Sequence, residues 1–198
     1  MRNTIRTRAP VVIAILALGA WTKPLDQLTL QPDSKLWVEG TSTMRSWKCQ
    51  APGVDVVVDA APAAAKSVLA GERAVKTVQL TVTTARMDCN NGTMNDHMRK
   101  ALKAVEFPTI AFTLSSYDLA KGADTVQATL NGELSLGGVK RPVVLAAAVT
   151  PGPDGALRVA GTHELHMKEF DLKPPSLMLG TMKVGELVKV RFDLLLKP

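Results

Sequence analysis

The chain has 198 residues, of which 46% are apolar, 21% are charged and only 4% are aromatic. This composition is typical of a globular protein whose core consists mainly of Val, Leu, Ala and Met. The formal net charge is +6, and residues 1–20 contain three positive charges and no negative one, so the rest of the chain carries only +3. Such a mild charge, without a basic stripe that alternates with aromatic residues, disfavours nucleic-acid binding.

The first 20 residues predict a signal peptide. Three arginines precede an apolar run over residues 11–20, which is too short to span a bilayer and ends in small residues that suit a cleavage site. The alternative is an uncleaved membrane anchor. We therefore expect export to the periplasm or the medium, no stable membrane span after cleavage, a leader over residues 21–33 and one folded domain over residues 34–198.

From residue 35 onwards, most of the sequence alternates apolar and polar residues with the period of two that is typical of β-strands. The longest run covers residues 126–136 and predicts a strand with one buried and one solvated face. A Gly-Gly turn follows and leads into a returning strand. About eight strands are predicted, and no helices alternate with them. The pattern therefore predicts an all-β fold of antiparallel strands, in a closed barrel or a sandwich.

One short helix is predicted between two of these strands. Apolar residues recur at helical spacing over residues 94–105, Thr93 and Asp96 resemble a capping box, and Pro108 disfavours any continuation of the helix. The strand that follows alternates in the same way as the others. Because an apolar helix face lies next to an apolar strand face, we expect the helix to cap one end of the barrel.

The apolar strand faces predict the lining of a cavity. An eight-stranded barrel is either filled by its own side chains or holds one small ligand, and small inward residues such as Ala128 and Gly132 favour a cavity. The residues predicted to line it and to contact a ligand are Val78, Leu80, Val82, Ile110, Phe112, Leu114, Val126, Ala128, Leu130, Leu134, Val159, Val190 and Phe192.

The chain contains two cysteines, Cys49 and Cys89. In an exported protein, such a pair usually forms a disulfide, whose loop of about 40 residues would contribute roughly 4 kcal/mol to stability on the chain-entropy model. Two separate buried thiols are the alternative.

No pattern in the sequence predicts a metal site or a catalytic site. His163 and His166 are three residues apart on a predicted strand, so their side chains lie on opposite faces, and His163 shares the inward face with Leu165. Nucleophile elbows, dinucleotide-binding motifs and phosphate-binding loops are absent from the sequence. We expect neither an enzyme nor a cofactor.

Four segments of the sequence, in this order, resemble the YceI-like family. They are KLWVEGTSTMRSWKC (35–49), MNDHMRKALKAVEFPTIAF (94–112), LNGELSLGGVKRPVVL (130–145) and MKEFDLKPPSLMLGTMKVGELVKVRFDLLL (167–196). The positions of Cys49 and Cys89 resemble a branch of this family with a disulfide. Asp171 departs from the family, whose members more often have a glycine at this position.

The resemblance implies an extended lipocalin-like antiparallel barrel that is usually exported. It also implies binding of a long isoprenoid lipid, or of the isoprenoid tail of a quinone, without catalysis. The alternative function is that of an envelope stress or interaction protein with a filled barrel and no lipid ligand. The sequence leaves the oligomeric state open, a dimer being one option.

Overall fold

A computed structural model describes residues 26–177 and 182–198, and most of this part is β-structure. The strands are β1 (Asp26–Leu30), β2 (Lys35–Ser42), β3 (Ser46–Gln50), β4 (Val54–Ala60), β5 (Val75–Thr83), β6 (Thr109–Lys121), β7 (Val126–Leu136), β8 (Val139–Pro151), β9 (Leu157–His166), β10 (Ser176–Leu177) and β11 (Met182–Lys197). The helices are α1 (Ala64–Leu69) and α2 (Gly92–Ala101), and three short 3-10 turns lie at 84–86, 153–155 and 167–170.

Eight of the strands close into an antiparallel barrel. Strands β4 to β9 pair in chain order, and β11 pairs with β9. β1 then completes the ring, because it pairs with β11 on one side and with β4 on the other. β2 and β3 form a hairpin that extends the wall along β11. The predicted fold class, an eight-stranded antiparallel barrel, is confirmed.

The strand that closes the ring lies inside the segment predicted to be a leader, 21–33. Leu28 of β1 pairs with Val58 of β4 and is buried, and Leu30 pairs with Leu196 of β11. The folded domain therefore reaches back at least to Asp26, and the predicted boundary at residue 34 is corrected. Five residues give too short an alternation to distinguish a strand from a polar linker. The predicted signal peptide lies outside the described residues.

The two helices lie at opposite ends of the barrel. α1 connects the end of β4 to the start of β5, and α2 lies between the end of β5 and the start of β6. Since β5 crosses the barrel from one end to the other, the helices are separated by its length. Ala64 and Val68 of α1 are buried in the largest core cluster, so α1 plugs its end. α2 contains no buried residue and covers the other end loosely.

Both ends of α2 differ from the predicted bounds. The N-cap is Asn91, whose side-chain oxygen accepts a hydrogen bond of 3.0 Å from the backbone N–H of Met94, so the predicted capping box at Thr93 is wrong. The helix ends at Ala101, before the predicted end at residue 105. Lys103 has φ = 53°, and the N–H groups of Lys103 and Ala104 bond to the carbonyls of Lys100 and Arg99. This pair of bonds is a Schellman motif, and it stops the helix well before Pro108.

A disulfide links Cys49 of β3 to Cys89, three residues before the start of α2. Around it, Gln50 pairs with Asp88, and the Asn95 side chain of α2 accepts a 2.7 Å hydrogen bond from the Cys89 N–H. The predicted disulfide is confirmed. It fixes the N-terminal side of the α2 segment to the barrel wall.

Replacement of Lys103 by glycine is expected to stabilise the protein by about 1 kcal/mol, because a side chain at positive φ is strained and glycine is not. The midpoint of denaturant unfolding measures this change. Lys100→Gly is the matched control, since Lys100 has helical geometry and glycine there should destabilise by up to about 1 kcal/mol. Equal effects of the two substitutions would contradict the role of the Lys103 backbone conformation.

Candidate functional site

The inner face of the barrel surrounds a cavity of about 240 Å³. All eight strands of the ring contribute side chains to it, and so do β2 and α1. Because side chains alternate along each strand, the inward residues are mostly Val, Leu, Ile, Ala or Phe. Tyr117 and His163 are the lining residues with polar atoms in their side chains. The cavity is therefore suited to an apolar ligand.

The structure brings nearly all of the predicted lining residues together. Twelve of the thirteen line this cavity: Val78, Leu80, Val82, Ile110, Phe112, Leu114, Ala128, Leu130, Leu134, Val159, Val190 and Phe192. Val126 is 3% exposed and belongs to the core cluster of α1, but it does not line the cavity. Period-two alternation predicts which face of a strand a residue lies on, but not how far along the barrel axis it lies. That these residues bind a ligand stays a prediction.

Sequence reasoning missed several lining residues. Alternation could have identified Val56, Leu145 and Leu157, because they share the inward face of strands that were already predicted. Val68 of α1 and Met87 also line the cavity. They lie outside the regular strands, so no periodic signal marks them.

A second cavity, of about 200 Å³, lies under α2. α2 and the residue after it contribute Met94, Met98, Ala101 and Leu102, and the opposite wall includes Trp47 and the Cys49–Cys89 disulfide. The two cavities share the lining residues Met87, Leu136, Leu165 and Val190. They therefore adjoin, and together they have the size of a ligand pocket, roughly 300–1,000 Å³. The lining of the second cavity also includes Ser42, Arg45 and His97. As predicted from the sequence, the helix covers this end.

The inward phenylalanines lie against glycines of the barrel wall. A Cβ atom at Gly132 would come within 2.4 Å of the Phe112 ring, and one at Gly161 within 2.4 Å of the Phe192 ring. Gly161 and Phe192 are direct partners across β9 and β11. With no side chain opposite them, the rings rest close to the backbone of the neighbouring strand. This packing leaves space at the centre of the barrel.

A sequence profile of the YceI-like domain matches residues 37–196. The chain belongs to the YceI-like domain family. A curated relative, a UPF0312 protein of Ectopseudomonas mendocina (strain ymp), is 34% identical over 102 residues, which are 48% of this chain and 52% of the relative. The chain thus spans about half the length of the curated relative that it matches.

Solved structures with similar folds agree with the YceI-like assignment. BcnA of Burkholderia cenocepacia is 18% identical and superposes with a TM-score of 0.63 over 82% of this chain and 95% of BcnA. The YCEI protein of Campylobacter jejuni is 18% identical, with a TM-score of 0.55 over 76% and 84% of the two chains. A polyisoprenoid binding domain from Saccharophagus degradans, implicated in plant cell wall breakdown, is 13% identical, with a TM-score of 0.55 over 86% and 97%. At sequence identities this low, the similarity to these structures shows a shared fold.

In this YceI-like barrel, the two polar groups that line the first cavity differ in their environment. The hydroxyl of Tyr117 accepts a 2.9 Å hydrogen bond from the Val75 N–H and lies 3.2 Å from the Val75 carbonyl, to which it donates. It is therefore paired within the wall. His163 is half-buried and lies opposite Val190, at the junction of the two cavities. Burial lowers the pKa of His163, while the charges of Glu169 and Glu164 act in the opposite direction.

We expect His163 to make the stability of the protein depend on pH. Because its folded-state pKa is below the ordinary value of about 6.5, the unfolded chain binds a proton more readily, and the folded state loses stability as the pH falls below about 6.5. The loss stops below the folded-state pKa. His163→Leu should therefore flatten the fall in melting temperature between about pH 7.5 and 5. Thr162→Leu, on the outer face of the same strand, is the control, and an unchanged pH profile in His163→Leu would contradict the assignment.

Two further observations concern the described ranges 26–177 and 182–198. No group of three or more His, Cys, Asp or Glu residues in these ranges is placed to hold a metal ion. The helices found there are also too short and too polar to cross a membrane.

Proposed function

We propose that this YceI-like protein is exported and holds a long apolar isoprenoid chain, of an isoprenoid lipid or of a quinone, inside its barrel, without catalysing a reaction. The largely apolar lining of the two adjoining cavities is the observation that carries this proposal. The fold that the chain shares with a polyisoprenoid binding domain supports it.

The chemistry of the lining fits a chain without hydrogen-bonding groups. Binding of such a chain depends on buried apolar surface, at about 25 cal/mol per Å² or about 0.8 kcal/mol per buried methylene group. A chain of many carbons can therefore bind without polar anchors. A charged headgroup at the centre of the barrel would lose its hydration without gaining a partner, which is costly. The headgroup of the ligand therefore lies at an end of the interior.

The alternative is a filled barrel that acts through its outer surface. The placement of Phe112 and Phe192 against glycines argues against it, because a barrel filled by its own side chains would use these rings at the centre. Lipid extraction of the purified protein followed by mass spectrometry distinguishes the two. We expect an isoprenoid compound in stoichiometric amount, and an empty extract from protein produced in cells that make such lipids would overturn the proposal.

Export is tested separately. The amino-terminal sequence of protein recovered from the periplasm or the medium should begin at Ala20 or Trp21, after removal of the signal peptide. Protein that retains Met1 and fractionates with the membrane would contradict export without affecting the binding proposal.

A further inference from the structure

Four of the six large exposed apolar side chains among the described residues lie at one end of the barrel. The large ones are Met44, Val57, Val105, Phe107, Val144 and Leu187. Val57 and Val144 lie within strands of the barrel wall. The other four belong to the end that α2 covers: the β2–β3 hairpin, the turn after α2 and the first part of β11. Val105 is 99% exposed, so the fold buries none of it.

Basic residues outnumber acidic residues at the same end. In the described connections at this end, the basic residues are Arg45, Arg86, Arg99, Lys100, Lys103, Lys168 and Lys173, and the acidic ones are Asp88, Asp96, Glu106, Glu169 and Asp171. Lys100, in the last turn of α2, and Lys103, in the turn after it, form no ion pair within the described part of the chain. In the connections at the α1 end, the basic residues are Lys66 and Arg73, and the acidic ones are Glu72, Asp124 and Asp154.

This surface also lies directly over the second cavity. Met94 and Met98 of α2 line that cavity from above, and the exposed turn begins a few residues after them. No residue of α2 is fully buried, although Met98 and Ala101 pack against the core beneath the helix. An apolar chain that enters at this end therefore passes a single short helix before it reaches the barrel interior.

We propose that the end of the barrel covered by α2 docks on an anionic lipid bilayer, with Met44, Val105 and Phe107 in the headgroup region and Lys100 and Lys103 on lipid phosphates. Exposed apolar groups at an interface gain free energy by burial, and each basic residue near an anionic surface adds about 1 kcal/mol. The docked protein presents its second cavity to the source of apolar chains. The docking goes beyond the proposed function and does not depend on it.

Hydrogen–deuterium exchange of the full chain tests the docking site by position. Vesicles of phosphatidylglycerol and phosphatidylethanolamine should slow amide exchange in residues 43–45 and 94–109, and vesicles of phosphatidylcholine should do so much less. Residues 61–74, at the α1 end, should be unaffected. A membrane contact of the N-terminal segment alone would not protect the α2 end. Absence of protection there, or equal protection by neutral vesicles, would overturn the proposal.

A pair of matched variants tests the residues that carry the docking. Val105→Asp with Lys100→Glu should weaken the vesicle-dependent protection at the α2 end by about tenfold or more, since it removes an apolar contact and reverses one favourable charge. Val144→Asp with Lys66→Glu makes the same changes on the wall and at the α1 end, and it should behave as the parent. Melting temperatures verify that both variants are folded. Equal weakening in both would show that net charge, rather than this surface, determines the interaction.

Discussion

Protein with Ala128 replaced by tryptophan is expected to fold and to lose the lipid that we propose it binds. Ala128 is 4% exposed, lines the barrel cavity, and lies on β7 between Leu119 of β6 and Ala147 of β8. An indole at this position extends into a space of about 240 Å³ and occupies much of it. In the proposed function the ligand is held by apolar surface alone, so the loss of space should lower the bound lipid by more than about tenfold, that is by at least 1.4 kcal/mol. Mass spectrometry of the lipid extract measures the amount of bound lipid per amount of protein.

The control for this variant is Ala146→Trp. Ala146 is exposed on the outer face of β8, next to the inward Ala147, so the same change there leaves the cavity untouched. Overpacking by Ala128→Trp should cost about 1–3 kcal/mol, which thermal unfolding of both variants measures. Folded Ala128→Trp protein that carries as much lipid as Ala146→Trp would show that this face of the barrel does not bind the ligand.

The faces of the strands could be predicted because side-chain direction in a strand is a local property. Successive residues point to opposite sides, so alternation over β7 and β11 identifies Leu130, Val190 and Phe192 as inward without any knowledge of their partners. The exception, Val126, has the predicted direction but lies near the plug formed by α1. Position along the barrel depends on which elements close its ends, and alternation contains no information on that.

The closing strand and the helix ends depend on interactions that the local sequence does not specify. β1 is a strand because β4 and β11 present free edges to it, and these partners are distant in the sequence. At α2, both Asn91 and Thr93 are suitable N-caps, and the extended backbone of Asn91 decides between them. Lys103 stops the helix although lysine is a good helix former, because backbone hydrogen bonds favour the Schellman geometry.

Loss of the Cys49–Cys89 disulfide is expected to have the largest effect on stability. The cross-link joins residues 40 positions apart, and its contribution on the chain-entropy model is about 4 kcal/mol. For a domain of this size, such a loss corresponds to a fall in melting temperature of roughly 10 °C. The double variant Cys49→Ala with Cys89→Ala should show this fall in melting temperature. The parent, unfolded without reductant, should contain no free thiol, and two free thiols in protein from an oxidising compartment would contradict the pairing.

The loss of stability that follows removal of the disulfide should be concentrated at the α2 end of the barrel. α2 has no buried residue, so the disulfide beside Asn95 and the Gln50–Asp88 pairing are the main links between this segment and β3. Hydrogen exchange in residues 86–101 should therefore accelerate more than exchange in β6 to β9. Reduction of the parent is the control for the double variant, because it breaks the cross-link without removing the sulfur atoms from the wall of the second cavity. A parent that unfolds at the same denaturant concentration with and without reductant would show that the barrel, rather than the disulfide, holds α2 in place.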